Sequence, residues 1–268
     1  MDMLSQASQP VIISGSGVLW SEASAEYQAF VNHVGIPFYT TPQSRGAIPE
    51  DHDYCYLTAR STAFREADLI IVLGTRMNYV IGHAAPPRFN ADAKVVRIDI
   101  DPTELDTSPR ALDLGIVADV RTALNQLIEA CRGKVDADRF ASWRERLRGR
   151  NQSKAEEAEK IISSGNTPIH PLRLCKEVRD FMGRDDVLVV DGQEILNYGR
   201  QSIPTFVPGH RMNSGVFGTM GVGMPFGVGA KVAKPDARVI VLHGDGSFGM
   251  NAMEVDTSVR HGAPVLIV

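Results

Sequence analysis

Cysteine is scarce in this sequence, and long apolar runs are missing. The three cysteines, Cys55, Cys131 and Cys175, stand far apart. That scatter excludes a disulfide framework and a zinc or redox motif, and it leads to the expectation of reduced core thiols in a cytoplasmic protein. No apolar stretch approaches the ~20 residues of a membrane-spanning helix. The opening MDMLSQASQP lacks the basic and apolar regions of a signal peptide. No run of like charge occurs, and a net charge of −4 gives no reason to expect nucleic acid or a membrane surface as a partner. One phosphate fingerprint is also missing: no Lys-Ser/Thr pair closes a P-loop. Internal repeats and low-complexity tracts are absent. What remains is an ordinary globular composition, 43% hydrophobic and 22% charged, over 268 residues. That length holds one large or two ordinary domains.

In chain order, apolar β-branched runs alternate with helical periodicity. Strands are expected at 10–14, 36–40, 69–73, 95–100 and 115–118, with a helix over about 22–34 capped by Ser21 and stopped by Gly35. Asp119 caps a helix carrying Val120, Leu124, Leu127, Ile128 and Cys131 at helical spacing. The pattern predicts an α/β fold of two doubly wound parallel-sheet domains. The first, residues 1–135, is a central nucleotide-binding-like domain. A charged helical segment over 136–167 is expected as a solvated linker, and a second α/β unit occupies 168–268. The closing apolar strand 264–268 has nothing after it, so the sequence is expected to be a piece of a longer chain, with the second domain truncated.

The most informative stretch is 239–251, a strand running into Gly244-Asp245-Gly246-Ser247-Phe248-Gly249. Glycines bring backbone N–H groups close to an anion, and the amino end of a following helix adds free donors. Asp245 offers a hard oxygen of the kind that holds Mg2+ beside phosphates. From the loop alone, a magnesium-diphosphate cradle and a plain β-to-α turn capped by Asp245 both remain open. Gln193, Glu194 and Ile195 follow the strand 187–190 and face the same sheet edge, where they read either as backbone contacts for one diphosphate or, for Glu194, as a capping carboxylate before the next helix. Arg76, Asn78 and Arg88 cluster after the strand 69–73, and read either as solvated surface residues or as groups placed where cations meet phosphates. Gly15-Ser16-Gly17 reads either as a tight structural turn or as a nucleotide-contacting loop.

Gly244 to Phe248, with Asn251, Met253-Glu254 and Thr257, resembles the signature of thiamine-diphosphate (ThDP) enzymes. Asn213-Ser214-Gly215, Gly218-Thr219-Met220-Gly221, Gly223 and Pro225 resemble the same superfamily's pyrimidine-contacting segment. Within it, Gly74 to Asn78, Pro86 to Phe89, Ile98 to Asp101 and Pro208 to Gly215 are similar to 2-hydroxyacyl-CoA lyases, 2-hydroxyisobutyryl-CoA lyase among them, and to oxalyl-CoA decarboxylases. Acetolactate-synthase-like enzymes share many of these residues.

The resemblance implies ThDP and Mg2+ as cofactors. Asp245 becomes a metal ligand, with a second ligand Asn expected beyond Val268. Gly244, Asp245, Gly246 and Ser247 hold the diphosphate together with Gln193, Glu194 and Ile195. Met220 props the cofactor in its bent shape, Gly218 offers a carbonyl to the pyrimidine amine, and the activating Glu lies outside this chain, so that this stretch alone is inactive. The implied reaction cleaves a 2-hydroxyacyl-CoA to a ketone or aldehyde plus formyl-CoA, or runs in reverse. Arg76, Asn78 and Arg88 become candidate CoA contacts, and a homodimer or homotetramer is implied. A non-catalytic nucleotide-binding module and a regulatory ThDP-fold subunit are the readings from other classes.

Overall fold

The computed structural model describes residues 1–268 and divides into two compact units, Met1–Glu156 and Glu157–Val268. In the first unit, β1 (Pro10–Ser14), β2 (Phe38–Thr40), β3 (Leu69–Leu73), β4 (Lys94–Asp99) and β5 (Leu114–Val117) form a parallel sheet ordered β2-β1-β3-β4-β5. Alternation along the strands feeds two cores. Ile12, Leu69, Ile71 and Ile98 pack with Tyr27, Phe30, Leu124 and Cys131. Val11, Ile13, Ile70 and Val72 pack with Phe64, Trp143 and Leu147. Strands buried on both faces need apolar residues throughout, which is why they read as continuous runs rather than alternating ones.

In the second unit, β6 (Val187–Asp191), β7 (Arg211–Met212), β8 (Val239–His243) and β9 (Leu266–Ile267) form another parallel sheet, ordered β7-β6-β8-β9. Leu188, Val190, Ile240 and Leu242 pack with Cys175 and Val178 on one face. Val187, Val189, Val239 and Val241 pack with Ala230 on the other. The helix Pro171–Phe181 starts as its sequence dictates: His170 Nδ1 accepts the Leu172 N–H at 3.1 Å, and Pro171 takes the first position. In both sheets the chain order reverses beside the first strand, and ligands in such sheets bind at the carboxyl ends there. No helix is long and apolar enough to cross a membrane.

Several expectations are corrected. The helix after β2's predecessor does not begin at Glu22: a short helix, Ser16–Trp20, comes first, Ser21 ends it, and Ser24–Val34 follows with Ala23 at its N-cap. Gly35 ends that helix at φ 70°, as expected. The charged helix, Ala141–Ile162, is not a solvated linker over its first half. Phe140, Trp143 and Leu147 are buried, the Trp143 indole donates to the Pro10 carbonyl at 3.1 Å, and Arg144 donates to the Gly35 carbonyl at 2.8 Å. Arginine stems let a charged sequence carry a buried face, which its composition hides.

Candidate functional site

The second sheet's reversal lies between β6 and β8, so Asp191-Gly192-Gln193 and His243-Gly244-Asp245 stand side by side at its carboxyl edge. The two turns approach closely. A Cβ added to Gly192 would lie 3.3 Å from the Gly244 amide nitrogen and 3.3 Å from Ser247 Oγ, and Gly192 has φ 105°. Only glycine combines that conformation with that spacing.

The glycine-rich stretch is not the open turn expected from its composition. It is already helical: Gly244 is the N-cap of Asp245–Asn251, and the first backbone bond runs from Phe248 N–H to the Gly244 carbonyl at 2.9 Å. The amides of Asp245, Gly246 and Ser247 therefore have no acceptor within the helix and stand at its positive end. Ser247 is buried, its hydroxyl donating to the Gly244 carbonyl at 3.0 Å, while Asp245 and Gly246 are exposed. Cβ atoms on Gly244 and Gly246 would meet nothing closer than the Met220 Cε, 3.9 Å from Gly246. A space of this kind, fronted by free N–H groups and narrowed by a methionine, fits a diphosphate. No group of three or more His, Cys, Asp or Glu side chains gathers to hold a metal ion, and the exposed Asp245 offers one carboxylate at the edge. That suits Mg2+, which keeps phosphate and water ligands.

Met220 is half-buried, and Gly218, at φ 64°, is exposed. Gln193 is the exposed N-cap of the helix Glu194–Ser202; Glu194 occupies its first turn and Ile195 is half-buried against Gly192. An acidic residue in a first turn is favoured by the helix dipole. The structure thus gathers Met220, Gly192 to Ile195 and Gly244 to Ser247 at one sheet edge.

Two residues that sequence reasoning gave no role complete this edge. Asp191, 2% exposed, accepts N–H bonds from Gly192 at 2.7 Å, Gly221 at 2.9 Å and Gly223 at 2.8 Å. His243 stacks edge-on to Phe248 with ring centroids 5.0 Å apart, and neither of its ring nitrogens has a hydrogen-bond partner. Burial pushes its pKa down, with the Asp191 charge opposing. An aspartate after a strand reads in sequence as an ordinary cap, so Asp191 carried no signal of its own.

The first unit's candidates are more dispersed. Arg76 is largely exposed and pairs with Glu104 at 3.0 Å; Glu104 also holds the buried Arg97 at 2.8 Å. Asn78 caps the turn Tyr79–Ala84 by accepting the Val80 N–H at 3.0 Å, and Arg88 donates to the Val80 carbonyl at 3.2 Å. Asn78 and Arg88 thus shape their own loop. Gly15-Ser16-Gly17 packs against the turn after β3, where a Cβ on Gly15 would come within 2.1 Å of the Thr75 Cβ. That closeness is a structural reason for the glycine.

Residues 1–127 match the family model "Thiamine pyrophosphate enzyme, central domain", and residues 196–268 match "Thiamine pyrophosphate enzyme, C-terminal TPP binding domain". The chain is 32% identical to 2-hydroxyacyl-CoA lyase 1 of Mus musculus, over 99% of this chain and 46% of that protein. It is 28% identical to oxalyl-CoA decarboxylase of Escherichia coli (strain K12), over 100% of this chain and 47% of that protein. It is also 32% identical to the acetolactate synthase large subunit of Mycobacterium tuberculosis, over 99% of this chain and 47% of that protein. The chain spans about half the length of the curated relatives it matches. With two models of one family matched, one over the whole first sheet and one over three of the four strands of the second, this chain belongs to the thiamine pyrophosphate enzyme family.

Proposed function

We propose that this protein is a ThDP- and Mg2+-dependent carbon–carbon lyase that cleaves a 2-hydroxyacyl-CoA to a ketone or aldehyde plus formyl-CoA, and that catalyses the reverse condensation. The observation that carries the proposal is the glycine-lined edge between β6 and β8, taken with the likeness to 2-hydroxyacyl-CoA lyase 1 over nearly the whole chain. When bound, ThDP supplies a nucleophilic carbon and an electron sink for breaking the bond next to the thioester carbonyl.

The chain's residues bind and orient. The free amides of Asp245, Gly246 and Ser247 hold diphosphate oxygens, with Gln193, Glu194 and Ile195 lining the facing turn. Asp245 gives one oxygen to Mg2+. Met220 supports the ring portion of the cofactor, and the Gly218 carbonyl orients its amine. Arg76 neutralises a phosphate of the CoA ester. In this reading the active protein is a homodimer or homotetramer working in the cytoplasm. Incubating the protein as its source produces it with ThDP, Mg2+ and 2-hydroxyisobutyryl-CoA should yield acetone and formyl-CoA by mass spectrometry. Carbon dioxide release from oxalyl-CoA without lyase products would favour the decarboxylase reading, and acetolactate formed from pyruvate would favour the synthase reading.

Two substitutions probe single roles. Met220→Ala should lower kcat by roughly 10- to 100-fold while ThDP affinity changes less, because a positioning contact acts mainly on the transition state. Steady-state kinetics checks this, and unchanged kcat removes the role. Arg76→Ala should raise KM for the CoA ester about 5- to 10-fold with kcat kept, the signature of lost uniform binding. An unchanged KM discards Arg76 as a CoA contact.

A further inference from the structure

The residue that follows Met220 is held at both its N–H and its carbonyl. The Gly221 N–H donates to Asp191 Oδ2 at 2.9 Å, and the Gly221 carbonyl accepts the Asn251 side-chain amide at 2.6 Å. Asp191 Oδ2 also accepts the Gly223 N–H at 2.8 Å, while Oδ1 accepts the Gly192 N–H at 2.7 Å. These bonds join separate elements: Asp191 ends β6, and Asn251 is the last residue of the helix that opens on Asp245. Gly221 sits at φ 89°, and a Cβ there would come within 2.9 Å of Asn251 Nδ2 and 3.0 Å of the Met250 Cβ. The segment therefore has one backbone path. A buried carboxylate accepting N–H bonds holds its donors through charge-assisted contacts. An amide in its place keeps one acceptor oxygen but no charge, and its NH2 group faces an N–H donor on the other edge.

We propose that Asp191 and Asn251 are positioning residues, a two-sided clamp that fixes the Gly221–Gly223 backbone and so sets Met220 against the first turn of the helix Asp245–Asn251. The proposal rests on the reading of that turn as the diphosphate cradle. Neither residue touches the cofactor in this scheme. Asp191 ties the backbone after Met220 to the β6 side of the cradle, and Asn251 ties it to the β8 side.

The first test needs no ligand. In hydrogen–deuterium exchange, the Gly221 and Gly223 amides of the unmodified protein should be protected. Asp191→Asn should speed exchange of both by roughly tenfold, because charge-assisted bonds become neutral ones. Asn251→Ala, which frees the Gly221 carbonyl rather than its N–H, should speed exchange of Gly221 by loosening the segment. Protection in β8 should stay as it is. Unchanged exchange at Gly221 in both variants overturns the clamp. Asn251 is exposed, so Asn251→Ala keeps the test alive if Asp191→Asn fails to fold.

The second test is a double-mutant cycle on ThDP affinity measured with Mg2+. Asn251→Ala alone should weaken binding severalfold, and in a Met220→Ala background it should weaken it much less. Additive effects overturn the action through Met220. If the unmodified protein binds no ThDP, the proposed function fails and takes the Met220 part with it, while the exchange result still decides whether the clamp exists.

Discussion

Asp245→Ala should weaken binding of ThDP with Mg2+ by at least ~100-fold, since even disturbing a residue behind a metal ligand costs 10- to 100-fold. No cluster of three or more His, Cys, Asp or Glu side chains gathers to hold an ion in its place. Asp245 is exposed in the first turn of its helix, so removing its carboxylate deletes a ligand without opening a cavity. The fold should therefore survive, with an unfolding midpoint near that of the unmodified protein. Asp245→Asn should recover part of the affinity, because its amide oxygen still coordinates but carries no charge. Quenching of intrinsic fluorescence on titration with ThDP checks both variants. Equal affinity in Asp245→Ala and the unmodified protein removes Asp245 as the metal ligand.

The second large effect is on stability. Trp143→Ala should destabilise the first unit by about 3–5 kcal/mol, the usual range for deleting a large buried aromatic. The indole is 2% exposed in the core with Val11, Ile13 and Leu147, and its N–H satisfies the Pro10 carbonyl. The substitution therefore leaves both a cavity and a carbonyl without that donor. The midpoint should fall by on the order of 10 °C. Glu145→Ala, two residues along and paired only with exposed Arg148, should change stability by no more than about 0.5 kcal/mol. Thermal unfolding followed by circular dichroism separates the two. Similar midpoints for both variants would mean that the helix does not dock through Trp143.

These effects rest on features that were unevenly legible in the sequence. The buried strands declared themselves, because a parallel strand covered on both faces leaves no room for polar alternation: Leu69 to Leu73 and Val239 to Leu242 are uninterrupted apolar runs. Arg97 is the exception. Read inside an apolar strand it looks like a solvent-facing residue, yet it is 1% exposed and bonded to Asp99 and Glu104. The helix 141–162 misled for a related reason. Its arginines and glutamates dominate the composition, while Trp143 and Leu147, four apart, are the narrow stripe that packs.

The site was legible where chemistry needs a residue type. Glycines at 192, 244 and 246 and the carboxylate of Asp245 mark a tight, anion-facing edge, even though glycine-rich composition concealed that the helix begins at Asp245. It was not legible where the partner is backbone. Asp191 and Asn251 act on the peptide groups of Gly221 and Gly223, and nothing in a string of residues tells which distant N–H a carboxylate will meet. Arg76 lies between the two cases, its charge visible in sequence and its pairing with Glu104 visible only in the fold.

The central claim is that the edge between β6 and β8 binds ThDP through a metal held by Asp245. Isothermal titration calorimetry of ThDP into the protein as its source produces it, once with Mg2+ and once with a chelator, tests it most directly. The account predicts one ThDP bound per chain with Mg2+, and affinity lost when the metal is removed. Binding of equal strength in the presence of chelator, or no binding at all with Mg2+ present, would contradict it.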